Sequence, residues 1–101
     1  MAMTVNQNGQ DIRIELPDRF VFTLHNDFRH TYESYLAPRP GRKFVIDFAK
    51  TSYMDSAALG MLLVMREAVG GDTVPIHLVN ARPAVRKILE AAFFHELFKL
   101  V

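Results

Sequence analysis

The chain has 101 residues, of which 50% are hydrophobic and none is cysteine. This length suits one small domain with a single core, so we expect one domain over residues 1–101. Twelve basic residues against eleven acidic ones leave a net charge of +1, which argues against the broad basic surface that direct nucleic-acid binding requires. Without cysteine there are no disulfides and no thiolate metal sites.

Two features of the sequence bear on location. The N-terminus MAMTVNQNGQDIR lacks the basic start and apolar stretch of a signal peptide. No apolar run reaches the roughly 20 residues that span a bilayer. We therefore expect a cytoplasmic protein with no membrane insertion.

The first half of the chain predicts strands on either side of one helix. DIRIEL alternates apolar and charged residues, which is typical of a half-buried strand that ends at Pro17, and a weaker strand covers residues 3–5. Apolar residues at helical spacing predict a helix over 24–36, with Thr23 or Asn26 as its cap. KFVIDFA is short and rich in branched and aromatic residues, which predicts a strand in the middle of a sheet.

The second half repeats the alternation of helix and strand. A helix is predicted from Asp55 to about Val69, closed by Gly70. VPIHLVN is the next strand, ARPAVRKILEAAF is a helix with Pro83 in its first turn, and LFKLV is a final strand. Strands and helices at this spacing predict a largely parallel sheet with crossover helices, opened by a hairpin or meander. The fold class is therefore α/β or α+β, with a mixed sheet.

The helix that begins at Asp55 carries polar residues at its head. At 100° per residue its apolar positions form an arc that faces the sheet: Ala58, Met61, Leu62, Met65, Ala68 and Val69. A second stripe lies outside this arc: Ser56, Gly60, Leu63 and Glu67. Asp55 suits the N-cap, so the Ser56 hydroxyl would point outwards at the positive end of the helix, where a phosphoryl group can be held. An Asp-Ser pair is also a common helix start with no further role.

The run FVIDFAKTSYMDSAALGMLL resembles the signature of STAS domains, specifically the single-domain anti-sigma factor antagonists of bacterial partner-switching systems. In that signature an apolar strand ends in Asp, and a loop then leads to Asp-Ser, two small residues, Leu-Gly and an apolar helix. The matching residues are Val45, Ile46, Asp47, Met54, Asp55, Ser56, Leu59 and Gly60. The resemblance implies a STAS fold, with a mixed central sheet and crossover helices packed mainly on one face.

The resemblance also implies a function. Ser56 would be phosphorylated by a partner that is both anti-sigma factor and GHKL-type serine kinase, with Asp55 supporting the site, and a metal-dependent serine phosphatase would remove the phosphate. The protein would bind the kinase when unphosphorylated and release it when phosphorylated, with no catalytic activity, cofactor or metal of its own. The partner surface would comprise Met54, Asp55, Ser56, Gly60, Leu63 and Glu67.

The sequence departs from the family pattern in several places. Ala57 and Ala58 replace residues that are often Ser or Thr and Gly, Val21 aligns with an acidic residue of the loop before the first helix, and Phe93 stands where many relatives have a small residue. The last helix is therefore expected to end differently.

Other functions are open to a chain of this kind. Within the same family, the alternative is a STAS subunit of a membrane transporter or lipid-transport ATPase complex. In such relatives Thr is frequent at the position of the phosphoacceptor serine. The presence of Ser56 at this position therefore favours partner switching. A ligand-sensing domain would need a pocket. The four histidines lack metal-ligand spacing, and no G-x-S-x-G turn surrounds Ser56, so neither a metal site nor a hydrolase is expected.

Overall fold

The computed structural model describes residues 3–101. Its strands are β1 (Thr4–Asn8), β2 (Asp11–Glu15), β3 (Arg19–Phe20), β4 (Lys43–Asp47), β5 (Tyr53–Met54), β6 (Ile76–Val79) and β7 (Lys99–Leu100). Its α-helices are α1 (His25–Glu33), α2 (Ser56–Val69) and α3 (Pro83–Ala91). Among the described residues, no helix has the length and apolar character that crossing a membrane would require.

Five strands form one mixed sheet in the order β1-β2-β4-β6-β7. β1 and β2 are an antiparallel hairpin, and every other neighbouring pair in this sheet is parallel. Strands β3 and β5 form a separate short parallel pair. The predicted mixed sheet with an opening hairpin is therefore confirmed, and the α/β connections bring the ends of β2, β4 and β6 to one edge.

One face of the sheet carries the helices and the core. In β2, Ile12 and Ile14 are fully buried, while the alternate residues Asp11, Arg13 and Glu15 are partly exposed. The residues of β6 alternate in the same way. Helix α2 places Met61, Leu62 and Met65 into this core. This confirms the expectation that the helices pack mainly on one face, because the residues of β2 and β6 that point to the other face are partly exposed.

The opposite face of the sheet is polar. Arg13, Val45 and His77 lie side by side in register across β2, β4 and β6, and Val45 is nevertheless only 8% exposed. Burial lowers the pKa of His77, and the positive charges of Lys43 and Lys99 lower it further, against the opposing charge of Asp11. The neutral imidazole is therefore favoured on this face.

Several predicted details of the helices are wrong. The cap of α1 is neither Thr23 nor Asn26: a 3-10 turn over Phe22–Leu24 leads into the helix, whose N-cap is Leu24 without a side-chain bond. Ala68 is exposed, since it lies at the edge of the apolar arc of α2.

The end of α3 differs from the usual glycine-capped helix. The helix stops at Ala91, and Phe93 takes the left-handed conformation with φ of 60°. Glycine is favoured at such a position because it has no Cβ to clash. Phe93 is therefore a bulky residue in a backbone conformation that glycine would adopt more easily, and the last helix ends without a glycine cap.

Candidate functional site

The N-terminus of α2 holds the predicted site. Asp55 is the N-cap, and its Oδ1 accepts a hydrogen bond from the backbone N–H of Ala58 at 2.9 Å. The predicted capping role is confirmed. The N–H groups of Ser56 and Ala57, which the helix itself cannot satisfy, have no acceptor among residues 3–101. Two free donors therefore remain beside the Ser56 hydroxyl.

Asp55 also ties α2 to the turn before α1. Its Oδ2 accepts from the backbone N–H of Phe22 at 3.1 Å. One carboxylate thus accepts a backbone hydrogen bond from the first turn of α2 and another from the 3-10 turn before α1. The turn at Phe22 therefore needs no capping side chain of its own. The sequence did not indicate this contact, because no local pattern links residues that are 33 positions apart.

Ser56 is exposed, whereas the nearest serine and threonine hydroxyls are engaged elsewhere. Thr51 is fully buried and donates to the carbonyl oxygen of Pro17 at 2.9 Å. Ser52 is exposed, but its hydroxyl donates to the carboxylate of Asp18. Among the serines and threonines of this segment, Ser56 is therefore the one whose hydroxyl is both accessible and next to free helix donors.

A buried carboxylate fixes the loop that leads to Ser56. Asp47, at the end of β4, accepts from Arg13 at 2.7 Å, from the N–H of Ala49 at 2.9 Å and from Asn80 at 3.0 Å. Burial would raise the pKa of Asp47, but these hydrogen bonds and the charge of Arg13 outweigh it and lower the pKa. Arg82 donates to the carbonyl of Ala49. The loop is thus held by residues of β2 and β4, by Asn80 directly after β6, and by Arg82 at the N-cap of α3.

The predicted outward stripe of α2 is exposed along its length: Ser56, Gly60, Leu63 and Glu67. A Cβ built on Gly60 meets no atom within 4 Å, so packing inside the domain does not require glycine there. Met54 departs from the predicted set, since it is only 4% exposed and lies in the core. Its side chain is therefore not available to a partner.

The histidines form no metal site in the part of the chain that the structure describes. His25 instead stacks on Phe22, with ring centroids 4.5 Å apart and planes 10° apart. Its Nδ1 lies 2.9 Å from the carbonyl oxygen of Phe22. The imidazole therefore shapes the surface beside Asp55 and Ser56.

Comparisons of the sequence with known proteins identify the family of this chain. The family model described as "Mlab, STAS domain" matches residues 3–101. The STAS-domain containing protein PA14_20770 of Pseudomonas aeruginosa (strain UCBPP-PA14) is 44% identical over 102 residues, which cover 99% of each chain.

Solved structures share the fold at low identity. A STAS domain protein from Planctomyces limnophilus, described as an anti-sigma factor antagonist, has a TM-score of 0.81 at 17% identity, covering 97% of this chain and 87% of its own. The anti-sigma factor antagonist SpoIIAA in its unphosphorylated form has a TM-score of 0.70 at 18% identity, covering 88% of this chain and 82% of its own. The family model that matches residues 3–101 and the relative that is 44% identical agree, and this chain belongs to the STAS domain family.

Proposed function

We propose that this protein is an anti-sigma factor antagonist of a partner-switching pathway, regulated by phosphorylation of Ser56. The observation that carries the proposal is the accessible Ser56 hydroxyl at the head of α2, beside two unpartnered N–H groups. The structural neighbour SpoIIAA supports it, since that protein is an anti-sigma factor antagonist and has also been solved in a phosphorylated form.

The unphosphorylated protein binds a GHKL-type serine kinase that is also the anti-sigma factor. The contact surface is Asp55, Ser56, Gly60, Leu63 and Glu67, all at least partly exposed. The kinase transfers the γ-phosphoryl group of ATP to the Ser56 oxygen, and a metal-dependent serine phosphatase later hydrolyses the phosphoester. The STAS domain itself contributes no catalytic group and acts by being bound or released.

Electrostatics explains how one phosphoryl group would act as a switch. A phosphoserine carries about −1.5 to −2 charges at neutral pH. At a helix N-terminus this charge faces free N–H groups and a favourable dipole, so the isolated domain tolerates it. At an interface shaped for a hydroxyl the same group must lose water, and an unpaired buried charge costs several kcal/mol, which is enough to release the partner.

The test is phosphorylation by a purified GHKL-type kinase with ATP, followed by intact-mass measurement. The wild-type protein should gain one phosphoryl group, Ser56→Ala should gain none, and the matched control Ser52→Ala should behave as wild type. Titration against the kinase should show at least about a hundredfold weaker binding after phosphorylation, with an unchanged melting profile. Normal labelling of Ser56→Ala would disprove the proposed acceptor. Copurification of unphosphorylated protein with a transporter ATPase from native cells would instead favour a transporter subunit.

A further inference from the structure

Strand β1 is an open edge of the five-stranded sheet. It pairs with β2 on one side, and no strand within residues 3–101 follows it on the other side. All five of its residues, Thr4–Asn8, are exposed. An edge strand of this kind presents N–H and C=O groups to which a strand of another chain can bind.

The hydrogen bonds on the far side of β2 show which of its backbone groups point towards β1. Just after β2, the N–H of Leu16 donates to the carbonyl oxygen of Asp47 at 3.0 Å. Just before β2, the carbonyl oxygen of Gln10 accepts from the N–H of Lys43 at 3.4 Å. Because the backbone groups of successive residues in a strand point alternately to its two neighbours, the even-numbered residues of β2 bond to β4 and the odd-numbered residues bond to β1.

This alternation leaves Val5 and Gln7 free at the edge. The odd-numbered residues of β2 pair in register with Thr4, Asn6 and Asn8, whose backbone groups are therefore used within the hairpin. The N–H and C=O groups of Val5 and Gln7 point away from β2, and neither residue has another backbone partner in the part of the chain that the structure describes. The edge thus offers donors and acceptors at two alternate residues.

The opposite edge of the sheet is protected, whereas β1 is not. β7 has only two residues, and one of them is the exposed Lys99. Short edge strands and lysine side chains are common means of preventing contact between sheet edges. β1 is five residues long, and its sequence TVNQN contains no charge and no proline. It therefore lacks each of these protections.

A second copy of β1 matches this edge in the antiparallel direction. With a two-fold axis at Asn6, the whole strand overlaps its copy: Asn6 faces Asn6, Val5 faces Gln7, and Thr4 faces Asn8. Each pair of Val5 and Gln7 can then exchange both of its backbone hydrogen bonds. An amide side chain donates and accepts, so it can also bond to its own copy, whereas identical charged residues would repel each other.

The charges of β2 do not oppose such a pair. Arg13 lies beside Asn6 in register. In the pair, Arg13 and its copy would be separated by three strand spacings, about 14 Å. Charges are screened over about 8–10 Å at physiological salt, so this repulsion is small.

We propose that two copies of this chain pair through their β1 edges, antiparallel, and form one continuous sheet across both protomers. The same patch is used by both protomers, so the contact closes at a dimer. The proposal does not depend on phosphorylation of Ser56, and its tests need no kinase, so it and the proposed function can fail separately.

Sedimentation equilibrium measures the association. One pair of strands buries less surface than the roughly 1,200–2,000 Å² of a stable interface, so the average mass should rise from one chain towards two between about 10 µM and 1 mM. A mass of one chain throughout this range would overturn the proposal. Growth beyond two chains would also overturn it, because a symmetric pair leaves no further β1 edge.

Two double variants at the same positions test the pairing and its register. Val5→Lys with Gln7→Glu places opposite charges across the pair and should retain the dimer, whereas Val5→Lys with Gln7→Lys places like charges there and should weaken it by about tenfold or more. Val64→Lys with Ile88→Lys adds the same charge at exposed helical positions and should associate as wild type. Melting curves show that each variant is folded. Equal association of the two β1 variants would overturn the proposed register.

Hydrogen exchange locates the contact without any substitution. When most of the protein is dimeric, the amide protons of Val5 and Gln7 should exchange about fivefold more slowly than in dilute solution, because they are then hydrogen-bonded. The amide proton of Lys99, at the opposite edge, should exchange at the same rate in both samples. A dimer that leaves Val5 and Gln7 unprotected would overturn the proposal, since another surface would then form it.

Discussion

Replacing Gly60 by alanine should stabilise the isolated domain. Gly60 lies inside α2 and is exposed, and a Cβ at this position meets no atom within 4 Å. The substitution therefore adds neither a clash nor a core contact, and only the backbone effect remains. Glycine in a helix interior costs about 0.5–1 kcal/mol relative to alanine. For a domain of this size, that gain corresponds to a rise in melting temperature of roughly 2–8 °C.

Urea unfolding followed by circular dichroism measures the free energy of unfolding of Gly60→Ala and of the wild type. An m-value equal to that of the wild type would show that both unfold by exposing the same amount of surface. Gly70→Ala is a control of opposite sign: φ is +138° there, and the new Cβ would lie 2.7 Å from a methyl carbon of Val74. It should destabilise the fold. A lower midpoint for Gly60→Ala would refute the reasoning, since it would reveal a packing requirement that the geometry lacks.

A second substitution at Gly60 tests partner binding separately from the stability of the fold. Gly60→Arg should leave the domain folded, because the side chain projects into open space. It should abolish binding of the kinase, because a bulky charged group would stand in the proposed contact. An unchanged affinity would remove Gly60 from the partner surface, and global unfolding would show that glycine is needed for packing within the domain.

Substitutions at three further positions test the supports of the site and the polar face of the sheet. Asp55→Ala should cost about 1 kcal/mol or more of unfolding free energy, because two N–H groups lose their acceptor, whereas Asp55→Asn should retain much of the cap; thermal unfolding compares them. Asp47→Ala should lower the free energy of unfolding by about 2–3 kcal/mol at pH 7. Because the folded pKa of Asp47 is lowered, this difference from wild type should shrink as the pH falls from about 4 through the folded pKa. The folded pKa of His77 is also lowered, so the contribution of its neutral form to the free energy of unfolding is complete above about pH 6.5 and is lost as the pH falls through the folded pKa. His77→Gln should therefore make the free energy of unfolding less dependent on pH in that window. Urea unfolding at several pH values measures this dependence, and an NMR titration gives the folded pKa.

The parts of the fold that depend on local pattern could be predicted. The helix from Asp55 to Val69 shows why: a capping carboxylate, a regular apolar arc and a glycine at the end all lie within one continuous segment, and the structure places α2 over Ser56–Val69. The buried middle strand was equally clear from its continuous apolar run, since both faces of β4 are covered.

The missed features depend on contacts between distant segments. The 3-10 turn that leads into α1 is tied to Asp55 by a hydrogen bond from the Phe22 N–H, and α1 begins after this turn without a side-chain cap. The burial of Met54 follows from the pairing of β5 with β3, which neither two-residue strand indicates by itself. Periodicity along one segment carries no information about such pairings.

The order of Asp55 and Ser56 allows the start of α2 to be capped while the Ser56 hydroxyl stays accessible. A helix start needs an acceptor for its free N–H groups, and a serine can supply one, but its hydroxyl is then engaged. Here Asp55 takes that role one residue earlier and bonds Ala58 and Phe22, so Ser56 occupies the first helical position with its side chain exposed. A chain with the two residues exchanged would place the hydroxyl in the cap. The Asp-Ser order thus gives a stable helix and a free hydroxyl at the same point of the surface.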